Sequence, residues 1–186
     1  MKNLHLLNKA VRFATEVHRT QKRKGKDVPY ITHPLAVALI LSRATKDENI
    51  IIAGILHDTI EDCVPYGSIT KEYLESEFNS DVARMVNDLT EEDKTLPWME
   101  RKIAALKHIP HMPHDSLLVK SADVLHNLSE LNDDRAKDGE KVFEKFNARK
   151  DDTILRYQKL IPDIKNAWPE NPLIGELELE LTALLK

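Results

Sequence analysis

The segment from Asn49 to Asp62, NIIIAGILHDTIED, limits the possible folds of this chain more than any other stretch. Its isoleucine and leucine side chains cover nearly the whole circumference of a helix, the pattern of a helix packed on all sides. Four ionisable side chains follow in the last turns and share one patch at helical spacing: those of His57, Asp58, Glu61 and Asp62. Burying unpaired carboxylates is costly, so a cation must compensate, and a divalent metal ion is the simplest candidate. The alternative is a helix end that emerges into solvent, with His57 packed and the acids hydrated.

Outside this segment the chain also predicts helices. It contains five glycines, nine prolines that stand mostly at segment edges, and no convincing run of alternating β-branched residues. This composition favours an all-α fold. We expect Asp47 to cap the central helix, and Thr70 and Ser80 to cap the two helices that follow it. A long helix is expected from about Asp115 to Leu131.

The C-terminal part is expected to add two helices. The first should run from Val142 to Ile161 and stop at a break at Pro162. The last should be opened by Asn171 and Pro172. It contains an alternating stretch that would also suit a strand, but its apolar residues fit a helical stripe, and we predict a helix.

The length of 186 residues suits a single domain. We predict one domain over residues 1–186, with its core motifs in residues 23–131 and C-terminal helices in residues 141–186 packed against them. The single cysteine, Cys63, fits a reducing compartment. Because the chain lacks a signal-peptide pattern and any segment suited to a membrane span, we expect a soluble cytoplasmic protein without a membrane partner. A net charge of −4 argues against nucleic acid as a partner, and the oligomeric state is left open.

Three separate stretches supply side chains that can bind a metal ion. His33 lies in YITHP at a predicted helix start, His57 and Asp58 are adjacent in the central segment, and Asp123 lies in VKSADVLHN on a distant helix. Two nitrogen and two oxygen ligands suit manganese, iron or zinc and leave positions open for water and substrate. Open positions are typical of a catalytic metal site rather than a structural one.

Other side chains are placed to serve a reaction at this site. Glu61 and Asp62, one turn after the metal pair, can orient a water molecule or take its proton. Asn127 stands four residues after Asp123, so its amide should share the helix face of that ligand and hydrogen-bond a substrate. His126 should lie on a different face, where it either packs or supports a ligand.

A basic cluster precedes the first metal motif, and it consists of Arg19, Lys22, Arg23, Lys24 and Lys26. Such a run is usually a solvated face, but its position makes Arg23 and Lys24 candidates for binding an anionic substrate. Tyr30, beside the same motif, is expected either to touch a base or ribose or to pack.

The four candidate ligands follow the H…HD…D pattern of the HD superfamily of metal-dependent phosphohydrolases. Three longer stretches, RK…PYITHPLAVALIL, AGILHDTIED and VKSADVLHNL, resemble motifs of the hydrolase domain of the RelA/SpoT family, whose members degrade the alarmones ppGpp and pppGpp. The chain looks most like the stand-alone small alarmone hydrolases of this family, including the metazoan type, to which DLTEEDKTLPWMERK is also similar.

The resemblance implies an all-α HD-domain helical bundle around a single metal site. Carried over residue by residue, it implies metal ligation by His33, His57, Asp58 and Asp123, with manganese as the ion. It implies a catalytic acid pair formed by Glu61 and Asp62, and substrate contacts from Arg23 or Lys24 and from Asn127. The implied reaction hydrolyses the 3′-pyrophosphate of ppGpp or pppGpp to give GDP or GTP and pyrophosphate.

The chain departs from the family pattern at positions that bear on the substrate. Val124 stands where a basic residue often follows the second aspartate, Ser121 replaces a usual leucine, and the loop between Lys24 and Pro29 differs in length from that of most bacterial relatives. Two alternatives therefore stay open. The chain can be a phosphohydrolase of another nucleotide, such as NADPH at its 2′-phosphate or a nucleoside monophosphate, or it can be a non-catalytic nucleotide sensor.

Overall fold

The computed structural model describes residues 4–62, 69–91, 95, 98–146 and 148–186, without the side chains of residues 62, 98, 99, 102 and 103. These ranges contain no strand, and the predicted all-α fold is confirmed. They form ten α-helices: α1 (Leu4–Val17), α2 (Thr32–Ala44), α3 (Glu48–Leu56), α4 (Thr59–Asp62), α5 (Lys71–Glu77), α6 (Ser80–Leu89), α7 (Trp98–His108), α8 (His114–Asp138), α9 (Lys150–Ala167) and α10 (Ile174–Leu184). Two 3₁₀ segments, Ile109–His111 and Gly139–Lys145, precede α8 and follow it.

Helix α3 lies at the centre of the fold and contacts α1, α2, α6 and α8. Ile52, Ala53 and Leu56 are fully buried, as the apolar pattern of this segment predicts. Gly54 allows α2 to approach closely, because a Cβ at this position would collide with the Leu41 Cδ1 atom. The segment with the most constraining sequence is therefore the one with neighbours on every side.

The predicted central helix is interrupted at the residues that carry the chemistry. Asp47 caps α3 as predicted, and its carboxylate accepts a hydrogen bond of 2.9 Å from the Asn49 amide. The prediction of one continuous helix to Asp62 is wrong, because α3 ends at Leu56 and a turn precedes α4. The Thr59 hydroxyl donates to the Leu56 carbonyl over 2.7 Å. A side-chain donor thereby replaces a backbone amide at the helix end.

Helices α5 and α6 each begin after a residue whose side chain caps the helix, and only one of these two caps is the predicted residue. Thr70 caps α5 as predicted, accepting from the Tyr73 amide. The predicted cap at Ser80 is wrong, because Asn79 caps α6 by accepting a hydrogen bond of 2.9 Å from the Val82 amide. Asn79 has the extended backbone that a cap needs, whereas Ser80 is already helical.

The C-terminal helices differ from their predicted boundaries. Helix α8 extends to Asp138, where Gly139 with a φ of 64° ends it. Val142 lies in the 3₁₀ segment rather than at an α-helix start, and α9 runs through Pro162 to Ala167. The predicted break at Pro162 is wrong because this proline is exposed, so water can reach the carbonyl one turn earlier that loses its amide donor.

Helix α10 confirms the choice of helix over strand for the last apolar stretch, and it contacts α8 and α9. A buried polar contact joins the segment just before α10 to α8, since the Asn171 amide donates to the Ser121 hydroxyl over 2.8 Å. Among the described residues, none of the helices combines the length and apolar character needed to cross a membrane. Cys63 lies outside the described residues.

Candidate active site

The four candidate ligands converge from three separate parts of the fold. His33 comes from the first turn of α2, His57 and Asp58 from the turn between α3 and α4, and Asp123 from the middle of α8. The Nε2 atoms of His33 and His57 are 3.2 Å apart. His57 Nε2 lies 3.0 Å from Asp58 Oδ2, and His33 Nε2 lies 3.3 Å from Asp123 Oδ1.

These separations match those of atoms that share one metal ion. Ligands bound at about 2.1 Å in tetrahedral or octahedral geometry lie roughly 3.0–3.4 Å from one another. Among the described residues, His33, His57 and Asp58 form a group whose ligand atoms lie within 4.8 Å of one another. The Asp123 Oδ1 atom lies 3.8 Å from His57 Nε2, beside this group of three. The donor set therefore fits a divalent metal ion.

The charges at the site also call for a cation. Burial raises the pKa of Asp58, but the neighbouring His57 outweighs it and holds that pKa below its usual range. Burial likewise raises the pKa of Asp123, and Lys120 and the two histidines outweigh it, so this carboxylate also stays ionised. Burial lowers the pKa of His57, yet the adjacent Asp58 raises it to about 9. Asp123, which is buried, and Asp58, which is partly buried, therefore attract positive charge to the point where the four ligand atoms meet.

Both histidines are held with their Nε2 atoms directed at this point. His57 Nδ1 lies 2.9 Å from the Gly54 carbonyl, to which it donates. His33 Nδ1 lies 2.8 Å from His126 Nδ1. Burial is the main cause that lowers the pKa of His126 to about 4, so its neutral ring can accept that proton. His126 thus supports a ligand, one of its two predicted placements. Because these bonds engage the Nδ1 atoms, each Nε2 can serve as the ligand atom once a metal ion displaces its proton.

The carboxylates have their own supports, which the sequence interpretation did not identify. The Tyr30 ring packs against His18 and His33, one of its two predicted placements, and its hydroxyl donates to Asp58 Oδ2 over 2.6 Å. Lys120 donates to Asp123 Oδ2 over 2.9 Å. Its spacing of three residues before Asp123 on one helix is the sequence signal that would have found it.

The predicted acid pair is only partly visible. Glu61 lies in α4 and lines the cavity that opens at the ligands. Its Oε2 atom is 3.5 Å from the Glu91 amide, and Glu91 is itself paired with Arg101 over 2.5 Å. The side chain of Asp62 lies outside the described residues.

The basic cluster divides between the cavity and solvent. Arg23 lies in the cavity wall, where it donates to Glu130 and, over 2.8 Å, to the Asn127 side chain. Lys24 also lines the cavity. Lys26 is paired with Glu130 over 2.9 Å. Lys22 also lines the cavity and pairs with Asp27, whereas Arg19 is exposed and is not among the lining residues. The structure therefore brings Lys22, Arg23, Lys24 and Lys26 to the site and leaves Arg19 outside it.

The Asn127 amide is engaged by protein groups on both sides. Its Nδ2 atom donates to Asp123 Oδ1 over 2.6 Å, and its Oδ1 atom accepts from Arg23. Asn127 therefore links a candidate ligand to a candidate substrate-binding cation. A direct contact between Asn127 and substrate stays a prediction.

A cavity of about 620 Å³ extends from the ligands between α7, α8 and α9. This volume is typical of sites that hold a drug-sized or nucleotide-sized molecule. The cavity face of α8 includes Lys120, Asp123, Asn127 and Glu130. Val124 does not line the cavity and is buried in the apolar core. The valine at this position therefore removes no positive charge from the cavity wall.

Comparison with known proteins agrees with this geometry. The HD domain family matches residues 10–154. The guanosine-3′,5′-bis(diphosphate) 3′-pyrophosphohydrolase MESH1 of Danio rerio is 45% identical over 130 residues, covering 68% of this chain and 69% of that protein. The Homo sapiens protein of the same name is 41% identical over 129 residues, with the same coverage of 68% and 69%.

The fold is similar to that of a solved structure described as a metazoan orthologue of SpoT that hydrolyses ppGpp. The TM-score is 0.77 at 27% identity, and the match covers 97% of this chain and 93% of the other. The site geometry, the family match and the sequence identities lead to one assignment. The chain belongs to the HD domain family and, within it, to the RelA/SpoT-type hydrolases.

Proposed function

We propose that this protein hydrolyses the 3′-pyrophosphate of guanosine-3′,5′-bis(diphosphate), or of its 5′-triphosphate form, to GDP or GTP and pyrophosphate. The observation that carries the proposal is the convergence of four candidate ligand atoms in a cavity that is also lined by lysine and arginine side chains. Relatives at 41–45% identity bear the name of this activity. A water oxygen would bond to the phosphorus attached to the ribose 3′ oxygen, and that oxygen would leave and take up a proton.

We propose manganese as the ion, held by His33, His57, Asp58 and Asp123. Mixed imidazole and carboxylate ligands suit this metal, which accepts both nitrogen and oxygen donors. When bound, a divalent ion polarises the phosphoryl group and makes the attacking water more acidic. The supporting bonds from Gly54, His126, Tyr30 and Lys120 keep the four ligand atoms oriented before substrate arrives.

The remaining site residues have separate roles in this proposal. Glu61, with Asp62, takes the proton from the attacking water. Arg23 and Lys24 bind phosphate groups, for which the planar guanidinium of Arg23 is well suited. Asn127 holds Asp123 and Arg23 in register, and it contacts the nucleotide if one of these bonds opens.

No feature of the described residues favours another nucleotide over the alarmone. Val124 and the loop between Lys24 and Pro29 motivate that alternative in the sequence, and of these Val124 is buried in the core away from the cavity. We further propose that the protein acts in the cytoplasm, on the basis of its single cysteine.

The test is a time course with purified protein, ppGpp and either manganese or a chelator, in which GDP and pyrophosphate are resolved. We expect both products to appear only with manganese. Glu61→Gln should lower the rate at least about a hundredfold while manganese binding persists, because it removes the proposed general base.

Glu75→Gln is the matched control, because Glu75 is an exposed glutamate on α5 outside the cavity. It should hydrolyse ppGpp at the wild-type rate. Absence of GDP from the wild type in the presence of manganese would refute the proposed substrate. A wild-type rate in Glu61→Gln would refute the role of Glu61 alone.

A further inference from the structure

Most cations that line the cavity have a carboxylate partner. Among the described residues these pairs are Lys22 with Asp27, Arg23 with Glu130, Lys26 with Glu130 and Asp134, Lys145 with Asp134, Arg101 with Glu91, and Lys120 with Asp123. Arg156 lines the same cavity, and no carboxylate of the described part of the chain pairs with it. None of the described carboxylates therefore neutralises its positive charge by an ion pair.

Arg156 is held at the cavity by the helix that carries it. It lies in α9, is half-buried, and its guanidinium carbon is 5.5 Å from the centroid of the Tyr157 ring. Tyr157 is 5% exposed and also lines the cavity. An arginine that stacks on a buried aromatic ring keeps its hydrogen-bond donors free for a ligand.

Arg156 on α9 and Lys120 on α8 line the same cavity. Lys120 donates to Asp123, one of the four candidate ligands. Two cations from different helices therefore face the cavity that opens at the ligands. The repulsion between them favours an anion that both can contact.

We propose that Arg156 and Lys120 form the subsite for the terminal phosphate of the pyrophosphate that is released. This inference rests on the proposed function for the identity of the nucleotide. The reacting phosphorus must lie at the four ligands, so the phosphate bonded to it must lie immediately beyond them. Lys120 is bonded to a candidate ligand, and Arg156 faces the same cavity without a carboxylate partner among the described residues, so these two cations are the candidates to bind that phosphate.

The chemistry of the phosphate explains why this wall carries an unneutralised arginine. A terminal phosphate presents several anionic oxygens, and the guanidinium fork can donate to two of them in parallel. Arg156 is partly buried without an ion-pair partner among the described residues, and a bound anion would offset the desolvation cost of that burial. A carboxylate partner at this position would compete with the substrate.

The experiment compares the affinities of the manganese-loaded wild type and Arg156→Gln for inorganic pyrophosphate and for GDP, by isothermal titration calorimetry. Pyrophosphate affinity should fall about tenfold to a hundredfold, the loss expected for one charge-assisted contact. GDP affinity should change by less than about twofold, because GDP lacks the 3′-phosphates. The value of kcat/KM for ppGpp should fall by at least about tenfold.

Lys159→Gln is the matched control, because Lys159 is an exposed cation on the same helix. It should keep both affinities at the wild-type values. Arg156→Lys, which retains the charge without the fork, should lie between the wild type and Arg156→Gln, and it serves as the test variant if the glutamine does not fold.

Equal pyrophosphate affinity in the wild type and both Arg156 variants would overturn the subsite, as would a wild type that binds no pyrophosphate. Equal losses of pyrophosphate and GDP affinity would also overturn it. If the wild type does not hydrolyse ppGpp, the proposed function fails on its own, because the pyrophosphate titration does not depend on turnover.

Discussion

Each candidate metal ligand makes a hydrogen bond to a neighbouring group, and that bond fixes its orientation. The Tyr30 hydroxyl is the clearest case, because it donates to the same Asp58 oxygen that faces the histidines. The Tyr30 ring also lies against His18 and beneath the Arg23 guanidinium, with centroid separations of 4.9 and 5.4 Å. One aromatic side chain therefore connects a ligand with a substrate-binding cation.

Tyr30→Phe should weaken manganese binding by about tenfold or more, because Asp58 loses the hydrogen bond that fixes its orientation. The ring and its packing remain, so the thermal midpoint should change little. Competition with a chelating dye would measure the affinity. Tyr73→Phe is the control, since Tyr73 packs on Phe13 and does not line the cavity. Unchanged affinity in Tyr30→Phe would show that Asp58 needs no such support.

At the level of elements, the position of the histidines depends on how closely α2 and α3 approach. His33 begins one of these helices and His57 follows the other. Gly54 lies between them in the packing, against the fully buried Leu41. Because Leu41 is fully buried in a close-packed core, an added methyl group at Gly54 forces the Leu41 side chain or the helices to move.

Gly54→Ala should destabilise the protein by about 1–2 kcal/mol, because overpacking outweighs the gain in helix propensity. Gly175→Ala is the matched control, since a Cβ there meets no atom within 4 Å and the residue is exposed in α10. It should stabilise the protein by about 0.5 kcal/mol or more. Urea unfolding of the two variants would give the free energies. The same sign for both substitutions would contradict the close packing.

The basic segment before α2 is attached to α8 mainly through Glu130. This carboxylate accepts hydrogen bonds from Arg23 and Lys26. Burial raises the pKa of Glu130, but those two cations outweigh it and lower the pKa to about 2 from its usual 4.5. A carboxylate with a depressed pKa stabilises the fold above about pH 4.5, and this contribution is lost as the pH falls towards 2.

Glu130→Gln should therefore cost about 1–2 kcal/mol of unfolding free energy at pH 7, after allowance for solvent screening. The difference from the wild type should persist down to about pH 4.5 and shrink below it. Urea titrations at several pH values between 7 and 3 would measure it. Glu144→Gln, at an exposed glutamate, should show no such difference. A gap that stays constant down to pH 3 would contradict the role of Glu130.

For the whole molecule, we propose that the C-terminal helices share one domain with the site. Leu173, Leu177 and Leu184 are buried in the same core as the residues of α3 and α8. The buried Asn171–Ser121 hydrogen bond adds a polar link between these parts. Such shared burial makes separate unfolding of the two parts costly.

Calorimetric unfolding should accordingly give one transition, with equal calorimetric and van't Hoff enthalpies. Asn171→Ala should lower the midpoint of that single transition, because it leaves the buried Ser121 hydroxyl without its donor. Asn166→Ala, at an exposed asparagine in α9, should leave the midpoint unchanged. Two resolved transitions in the wild type would refute the single-domain proposal.

The sequence by itself determined the features that depend on local pattern. Helical periodicity and the scarcity of glycine predicted the all-α fold, and the apolar run before His57 predicted the central helix. The spacing of His33, His57, Asp58 and Asp123 in recognisable motifs predicted which side chains meet. These inferences succeed because helical periodicity, a helix cap and each single motif depend on residues that are only a few positions apart in the sequence.

Only the tertiary structure decided the features that depend on distant neighbours. Solvent at Pro162 allows α9 to continue, and the core around Val124 directs that position away from the cavity. The partners of Tyr30 and the lack of a carboxylate paired with Arg156 among the described residues follow from which helices face each other. The energy of a buried charge or a missing hydrogen bond depends on its surroundings in space, which sequence spacing does not contain.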